Sequence, residues 1–355
     1  MSANFYKLRV LEIREEIGGQ AKSVMFEVPA QLEGTFSWRP GKHLNLRFHL
    51  DGAEARRSYT ISSSPFIGEP MRITVKRVKG GLVSNYINDH IEAGDEIEVM
   101  PPCGSFFLDP GQDERRTHYF FGAGSGITPL FSMIASVLHA EPHSVARLLY
   151  GNRNDKTILF QATLAELQEA FPNRFTVCHV LSAPSMMSWF TPWRIGKIDQ
   201  EAIGAFIQEN PPYAQDAQYY ICGPGNMNQD LKRILNCHFD VPPNRIHMES
   251  FGGVQDVDDS IMGMEAALGI TLSDKTHSVP VQANQTLLDA ARQSGLTPPF
   301  SCQSGICGAC KAQLASGSVH MRSRPALEDS EVEAGTILTC QAVATSEFLE
   351  INYDE

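Results

Sequence analysis

The sequence predicts a multidomain protein in which an antiparallel β-barrel is followed by a doubly wound α/β domain and then by a small α+β domain. Three observations predict this order. Short strand patterns follow one another closely at first, strands then alternate with helices, and four cysteines crowd the last fifth of the chain. We place the domains at 1–113, 114–253 and 265–355, with an acidic linker at 254–264.

Length, composition and net charge limit the classes of protein to which this chain can belong. The chain has 355 residues, a hydrophobic content of 42% and a formal net charge of −12. A chain of this length can bury more than one core, and an acidic chain does not neutralise nucleic-acid phosphates. No apolar run approaches the roughly 18 residues that a membrane helix needs, and the charged, alternating start suits a strand better than a signal peptide. We therefore expect a cytoplasmic protein that binds no nucleic acid and does not insert into membranes.

Residues 5–110 contain six short strand patterns punctuated by Gly, Pro and Asp: FYKLRVLEI, SVMFEVP, HLNLRFHL, RSYTIS, MRITVKRV and DEIEVMPP. Such a series predicts a small antiparallel barrel. One helix pattern, LVSNYINDHI, interrupts it directly after Gly80 and Gly81.

Two stretches of this barrel can bind one phosphate-bearing ring ligand. Arg57 and Tyr59 share a face of their strand, so an arginine for a phosphate stands beside an aromatic for a ring, and Thr60 adds a hydroxyl donor. Gly81 precedes a helix whose first-turn amides, with Ser84 nearby, can bind a pyrophosphate. The candidate binding residues are Arg57, Ser58, Tyr59, Thr60, Val75, Lys76, Gly81, Leu82, Val83 and Ser84. For Lys76, a solvated basic strand edge is the alternative.

Residues 115–253 change character. The strand patterns THYFFGAG, ARLLYGN, FTVCHVLS and QYYICGP alternate with the helix patterns ITPLFSMIASVLHA, TLAELQEAF, DQEAIGAFIQ and NMNQDLKRILNCH. This alternation predicts a doubly wound parallel sheet.

The glycine-rich stretch FGAGSGITPL at 121–130 joins the first of these strands to its helix. Gly122, Gly124 and Gly126 let the backbone approach a pyrophosphate at the helix N-terminus. Thr128 and Pro129 stand where the usual dinucleotide fingerprint has a third spaced glycine. We therefore take the three glycines as candidate binding residues, and add Thr128 and Pro129 on the family resemblance given below.

The cysteine-rich loop SCQSGICGACKAQ at 301–313 predicts a metal centre. Its spacing is C-x4-C-x2-C, and a fourth cysteine follows 29 residues later in the strand-like ILTCQAVA. This is the plant-type [2Fe–2S] spacing, with small residues that let backbone N–H groups reach the sulfurs. A structural zinc site is the alternative, although such sites usually use two C-x2-C knuckles. The candidate ligands are Cys302, Cys307, Cys310 and Cys340.

The cysteine loop follows two strand patterns and a predicted helix at Thr286–Ser294, with Asn284 or Gln285 near its start. Together with the loop, this whole segment resembles a plant-type ferredoxin, which is an α+β domain of the β-grasp fold. The resemblance implies a cluster near the protein surface.

The remaining motifs resemble the ferredoxin-NADP reductase superfamily. Its R-x-Y-[ST] pattern matches Arg57–Thr60, its G-x-x-S helix start matches Gly81–Ser84, and its G-x-G-x-x-P pattern matches Gly124–Pro129. The resemblance implies FAD in the barrel domain, with FMN as the alternative because some relatives use it. It implies NAD(P)H in the α/β domain.

The same resemblance implies roles for residues near the end of the α/β domain. Cys222-Gly223-Pro224 would lie where the nicotinamide approaches the flavin, with Cys222 beside the reacting carbons, and Phe251 would cover the flavin face. A small buried core residue is the alternative for Cys222, and a core phenylalanine is the alternative for Phe251. The candidate catalytic residues are thus Thr60, Cys222 and Phe251. Arg153 is either a ligand of the NADPH 2′-phosphate or a solvated side chain, which leaves the coenzyme open.

The order of flavin, nicotinamide and ferredoxin domains resembles the reductase components of multicomponent oxygenases, of the phenylacetyl-CoA epoxidase and 3-ketosteroid 9α-hydroxylase type. This implies that a hydride passes from NAD(P)H to FAD, and that single electrons pass through the [2Fe–2S] cluster to a terminal oxygenase. The acceptor could instead be a desaturase or a hybrid cluster protein. Two competing hypotheses are a reductase that acts directly on a small molecule and a non-catalytic, redox-sensing subunit.

Overall fold

The computed structural model describes residues 5–50, 52–184, 193–251, 258–327 and 329–354. Within these ranges, the strands form a barrel-like sheet, a parallel sheet, a mixed sheet and a small two-stranded sheet. This arrangement agrees with the predicted multidomain fold, while the domain boundaries stay a prediction. Residues 254–257 of the predicted linker lie outside the described ranges. The irregular stretch from 258 is held where the Asp258 N–H donates to the Arg322 carbonyl at 2.8 Å.

The first sheet is antiparallel and has the strand order β4-β3-β6-β1-β2-β5. Its two outer strands meet where Ile61, one residue beyond β4, bridges Ile73 of β5. Helix α1 packs Val83 and Ile87 into the core inside this sheet. The elements are β1 Tyr6–Ile17, β2 Ala21–Glu27, β3 His43–Leu50, β4 Ala53–Thr60, β5 Met71–Lys76, α1 Leu82–His90 and β6 Glu96–Val99.

The second sheet is parallel throughout, with the order β10-β9-β8-β7-β11-β12. Strand β7 is central and buried over most of its length, as expected of a parallel sheet covered on both faces. The elements are β7 Arg116–Ala123, α2 Ile127–Ala140, β8 Val145–Asn152, α3 Gln161–Ala170, β9 Phe175–Leu181, β10 Arg194–Ile195, α4 Gln200–Glu209, β11 Asp216–Pro224, α5 Gly225–His238 and β12 Ile246–Phe251.

Helix α2 joins the first two domains. Its residues from Ile127 to Leu138 are all buried, because the helix lies against the parallel sheet on one side and the barrel domain on the other. Two serines one turn apart make the polar contacts to the barrel domain. The Ser132 hydroxyl donates to the Ser63 carbonyl at 2.6 Å, and the Ser136 and Ser64 hydroxyls are 2.8 Å apart.

The third sheet is mixed, with the order β14-β13-β19-β15-β17, and a separate β16-β18 pair lies beside it. Of its described pairings, only β13–β19 is parallel, and α6 packs Leu287, Ala290 and Ala291 into the core of this domain. The elements are β13 Ala266–Leu272, β14 Lys275–Val281, α6 Leu287–Gln293, β15 Lys311–Ser316, β16 Val319–Met321, α7 Asp329–Glu333, β17 Thr336–Leu338, β18 Ala342–Ala344 and β19 Phe348–Asn352.

One local prediction for this domain was wrong, and two features were not predicted. Asn284 and Gln285 lie near the start of α6 as expected, but the cap of this helix is Thr286, whose side chain accepts from the Asp289 N–H at 3.2 Å. Cys340 lies in a turn between β17 and β18 and not within a strand. The acidic helix α7 was not predicted, since five residues carry too little periodicity to identify a helix.

Candidate functional site

A cavity of about 570 Å³ lies where the three domains meet, and we call it the three-domain cavity. It brings together the predicted ligand residues of the barrel domain, except that the Val75 side chain lies in the barrel core instead. The lining residues are His43, Arg57, Ser58, Tyr59, Thr60, Thr74, Lys76, Arg77, Val78, Gly81, Leu82, Val83, Ser84, Ser125, Thr128, Glu249, Ser250, Phe251, Cys302, Ser304, Ile306 and Cys307.

One side of this cavity is made by the start of α1. Gly81 is the N-cap residue, in an extended conformation, and no side chain of the described residues caps the helix there. A Cβ added to Gly81 would lie 2.5 Å from the Ser84 Oγ, so a larger residue would displace that side chain. Ser84 in turn accepts from the Val78 N–H at 3.3 Å. The first-turn N–H groups of α1 are therefore available to a phosphate at the cavity wall.

A buried acid, Glu249, lies in the same cavity wall. Its Oε1 is 3.9 Å from the Nδ1 of His43, and its Oε2 has no hydrogen-bond partner among the described residues. Burial raises the pKa of Glu249 to about 8, opposed by a hydrogen bond with Thr60. Burial, with Lys42 nearby, lowers the pKa of His43 to about 4. At neutral pH both groups are therefore uncharged, and their contact is not a salt bridge.

Replacing Glu249 with glutamine tests this assignment. A carboxyl whose folded pKa exceeds its unfolded value gives stability that is complete below the unfolded value, 4.5, and lost as pH rises through about 8. We expect the wild-type free energy of unfolding to fall by a few kcal/mol, on the order of 4, across that range. The Glu249→Gln variant should not show this fall in chemical denaturation series. A Glu169→Gln variant at an exposed site of α3 is the control, and equal slopes for both variants would contradict the assignment.

A second cavity, of about 800 Å³, lies at the carboxyl ends of the parallel strands, and we call it the glycine-loop cavity. Gly124 has a positive φ of 55° and faces open space. A Cβ on Gly126 would lie 2.0 Å from the Cys222 carbonyl oxygen, so the loop and β11 touch through their backbones. The lining residues are Lys76, Ala123, Gly124, Ser125, Gly126, Gly151, Asn152, Arg153, Thr157, Val180, Ser182, Gly196, Lys197, Ile198, Gly223, Pro224, Asn226, Met227, Asp230, Leu231 and Phe251.

The two cavities share Lys76, Ser125 and Phe251. Phe251, the last residue of β12, therefore stands between them, where a ring can separate two ligands. Cys222 is fully buried in the core of the second domain and belongs to the described lining of neither cavity. Its predicted place beside reacting carbons stays a prediction.

Not every predicted residue of the glycine-rich stretch lines the cavity that it was assigned to. Thr128 lines the three-domain cavity and donates to the Ser125 carbonyl at 3.0 Å. Pro129 is buried in the first turn of α2, and a Cβ on Gly122 would meet the Leu130 side chain at 2.9 Å. Pro129 and Gly122 thus belong to the packing beneath the loop.

The cysteine loop forms the wall of the three-domain cavity that the ferredoxin-like segment provides. Backbone N–H groups point at its sulfurs: those of Ser304 and Cys307 lie 3.4 Å from the Cys302 Sγ, and that of Ala309 lies 3.5 Å from the Cys307 Sγ. The Cys307 thiol, together with Ser304 and the Cys307 N–H, lowers the pKa of Cys302, against the effect of burial. Such donors stabilise the thiolate form, which is the form that binds metal.

The four cysteines are arranged as two pairs. Cys302 contacts Cys307, and Cys310 contacts Cys340. In the described part of the chain, no three His, Cys, Asp or Glu side chains converge as the ligands of a single metal ion. A tetrahedral zinc site needs four ligands around one point, whereas two sulfur pairs suit two irons.

Comparison with protein families assigns each part of the chain. Residues 9–108 match an oxidoreductase FAD-binding domain, residues 120–233 an oxidoreductase NAD-binding domain, and residues 270–345 a 2Fe-2S iron-sulfur cluster binding domain. The chain is 32% identical over 355 residues to a subunit of the 1,2-phenylacetyl-CoA epoxidase of Escherichia coli (strain K12), covering 99% of this chain and 98% of the relative. The chain belongs to the ferredoxin-NADP reductase superfamily, in the branch with a C-terminal [2Fe–2S] domain.

Further similarities agree with this membership. The reductase is 33% identical over 359 residues to the ferredoxin reductase component of the 3-ketosteroid-9-alpha-monooxygenase of Rhodococcus rhodochrous, covering 98% of this chain and 96% of the relative. The solved structure of phthalate dioxygenase reductase shares the fold, with a TM-score of 0.59 at 22% identity over 98% of both chains. The predicted family, the oxidoreductase activity and the cofactors FAD, NAD(P)H and [2Fe–2S] are thereby confirmed.

The described residues of this reductase fit these cofactors. The three-domain cavity has an uncapped helix start for a pyrophosphate and an unpartnered carboxyl oxygen, on Glu249, for a polar ring edge. The glycine-loop cavity has bare backbone at Gly124, where a side chain would occupy the space of a ligand. No helix in the described part of the chain is long and apolar enough to cross a membrane.

Sequence reasoning missed several residues of the three-domain cavity. Thr74 lines this cavity, whereas the Val75 side chain lies in the barrel core. Side chains alternate along a strand, so Thr74 lies on the same face as the predicted Lys76, and this alternation could have indicated Thr74 in place of Val75. His43 and Glu249 carry no comparable signal, because they come from strands 206 positions apart that meet only in the folded protein.

Proposed function

We propose that this reductase is the electron-donating component of an oxygenase system, taking electrons from NAD(P)H and delivering them one at a time to a partner oxygenase. The observation that carries the proposal is the three-domain cavity, whose lining joins Arg57 and Tyr59 of the barrel to Cys302 and Cys307 of the cysteine loop. The relatives named as a monooxygenase reductase component and an epoxidase subunit support an oxygenase as the acceptor.

The barrel residues would bind and orient the flavin. When bound, FAD supplies the conversion of a two-electron hydride donor into single electrons, which a [2Fe–2S] cluster can accept. Arg57 would neutralise a phosphate, and Tyr59, whose burial raises its pKa and keeps the phenol neutral, would pack on the ring. Thr60 would donate to a ring nitrogen, and Ser84 and the α1 amides would hold the pyrophosphate.

The second domain would bring the nicotinamide to the flavin. Gly124 and Gly126 allow the coenzyme pyrophosphate to approach the start of α2, while Gly223 and Pro224 border the same cavity from β11. Phe251 occupies the boundary between the two ligands and excludes water from it. Hydride transfer needs donor and acceptor atoms at roughly 3–3.5 Å, so this boundary residue must move or share the space when the nicotinamide arrives.

The coenzyme preference would be decided in the glycine-loop cavity. Arg153 and Lys197 both belong to its lining, and two cations there favour a coenzyme that carries a 2′-phosphate. We therefore favour NADPH over NADH. None of the eight cysteines forms a disulfide in the described part of the chain, and we propose a cytoplasmic location, where cysteines stay reduced and can bind a cluster.

The partner oxygenase would dock on the acidic ferredoxin domain of this reductase. Residues 265–355 contain eleven acidic and five basic residues, so a basic face on the oxygenase would be steered towards the ferredoxin domain.

Reconstitution tests the proposal. The holoprotein is mixed with NADPH or NADH and with a purified terminal oxygenase of the Rieske or the di-iron class, and product formation is followed. We expect turnover that depends on the reductase and whose rate constant at limiting oxygenase falls about tenfold from low to high salt. Ferricyanide reduction serves as the control for the flavin, and cytochrome c reduction serves as the control for the cluster. Rapid ferricyanide reduction without delivery to either oxygenase class would contradict the proposed partner.

A further inference from the structure

Strand β4 contacts both the three-domain cavity and the ferredoxin domain. Arg57 points into the three-domain cavity, whereas the neighbouring Arg56 contacts the ferredoxin domain, where its Nη1 donates to the Phe300 carbonyl at 3.1 Å. Two residues on, the Ser58 hydroxyl borders the cavity and lies 3.1 Å from the Ser301 hydroxyl. One strand therefore carries both flavin-binding residues and the contacts to the ferredoxin domain.

Phe300 is held between two guanidinium groups. The Arg56 guanidinium carbon lies 3.8 Å from the Phe300 ring centroid, and that of Arg292, on helix α6, lies 4.2 Å from it. The ring is buried, and it packs in one cluster with Cys310 and Cys340, two of the four predicted cluster ligands. A displacement of Phe300 would therefore disturb the cysteine loop directly.

Arg56 is itself held in place from the barrel side. Its Nε donates to the Glu54 carboxylate at 2.9 Å, and its guanidinium also lies over the Phe5 ring at 4.9 Å. The side chain is only 10% exposed. Burial lowers the pKa of Arg56, with Glu54 opposing the shift. A desolvated guanidinium makes stronger cation–π and hydrogen-bond contacts than an exposed one, so the Phe300 contact is more than a surface encounter.

We propose that Arg56 is a positioning residue for electron transfer, which docks the ferredoxin domain so that the cysteine loop forms one wall of the three-domain cavity. Phe300 lies two residues before Cys302, the first predicted cluster ligand, so the ring that Arg56 contacts is close in sequence to the cluster. Domains within one chain move relative to each other unless a specific contact holds them. The inference rests on the proposed path of electrons from flavin to cluster.

The Arg56→Gln holoprotein tests the proposal by two measurements. Amide hydrogen exchange in the peptide covering residues 299–309 should become about tenfold faster, since the docked state loses a buried cation–π contact and a hydrogen bond. In rapid mixing with NAD(P)H, reduction of the cluster should slow about tenfold while reduction of the flavin keeps its wild-type rate. Visible absorbance of flavin and cluster checks that both domains remain folded.

Arg39→Gln is the matched control. Arg39 also stacks on a phenylalanine, Phe107 at 4.1 Å, and bonds a carboxylate, Asp109 at 2.9 Å, but both partners lie in its own domain. Arg39→Gln should behave as the wild type in both measurements. If Arg56→Gln matches it, the proposal is overturned.

Arg56→Lys separates geometry from charge. It keeps the charge but not the planar group, and it should show most of the Arg56→Gln defect. If Arg56→Lys behaves as the wild type, stacking of the planar guanidinium group on Phe300 does not dock the ferredoxin domain, and the proposal is overturned. If Arg56→Gln does not fold, the same two measurements on Arg56→Lys test the proposal. A wild-type cluster that NAD(P)H never reduces would instead refute the proposed function.

Discussion

Cys307→Ser should remove the iron–sulfur cluster and with it electron delivery beyond the flavin. Cys307 is 6% exposed and pairs with Cys302, and its sulfur accepts from the Ala309 N–H. A buried serine hydroxyl is not a thiolate and does not replace it as a ligand of iron. We expect visible cluster absorbance to disappear and reduction of cytochrome c or an oxygenase to fall roughly hundredfold or more, since even outer-shell changes at metal sites cost 10–100-fold.

Ferricyanide reduction separates this loss from general damage. Ferricyanide can take electrons from the flavin, so its NAD(P)H-dependent reduction should stay within about twofold of the wild type. Cys237→Ser is the matched control, because Cys237 is exposed near the end of α5 and far in sequence from the ligands. If the Cys307→Ser protein retains flavin but loses ferricyanide reduction too, the order of transfer from flavin to cluster is wrong.

The predictions that succeeded rest on local signals. The helix pattern ITPLFSMIASVLHA became α2 with the same bounds, because a glycine-rich loop before it and a glutamate after it end the apolar pattern sharply. The cysteine spacing identified the cluster for a similar reason, because three cysteines within nine positions are compatible with few other kinds of metal centre. In both cases the residues that decide the answer lie within one short stretch.

The features that sequence reasoning missed depend on contacts between distant parts of the chain. The Arg56–Phe300 hydrogen bond joins residues 244 positions apart, and neither residue belongs to a motif. The neutral His43–Glu249 contact has the same origin, since burial rather than residue type shifts both pKa values. Cys340 was misplaced because β-forming residues flank it on both sides, while the loop that must bring it to Cys310 makes a turn there.

Gly126→Ala should have a comparably large effect on the nicotinamide half of the reaction. The added Cβ would lie 2.0 Å from the Cys222 carbonyl oxygen and 2.9 Å from the Gly223 nitrogen, both backbone atoms. No flexible side chain can yield, so either the start of α2 or the end of β11 must shift. Overpacking of this kind costs about 1–3 kcal/mol or more. We expect a lower Tm and NAD(P)H-dependent flavin reduction slowed at least about tenfold, because both displaced segments line the glycine-loop cavity.

A second glycine of the same domain gives the opposite expectation. Gly204 lies within helix α4, and a Cβ there would be in ordinary contact with Phe239 at 3.5 Å. Since alanine is the better helix former by about 0.8–1 kcal/mol, Gly204→Ala should raise Tm and leave the reaction unchanged. In Gly126→Ala, dithionite should still reduce flavin and cluster fully, because it does not need a coenzyme bound in the glycine-loop cavity. Equal stability and equal NAD(P)H oxidation in the two variants would mean that the close approach of Gly126 to β11 does not shape the coenzyme site.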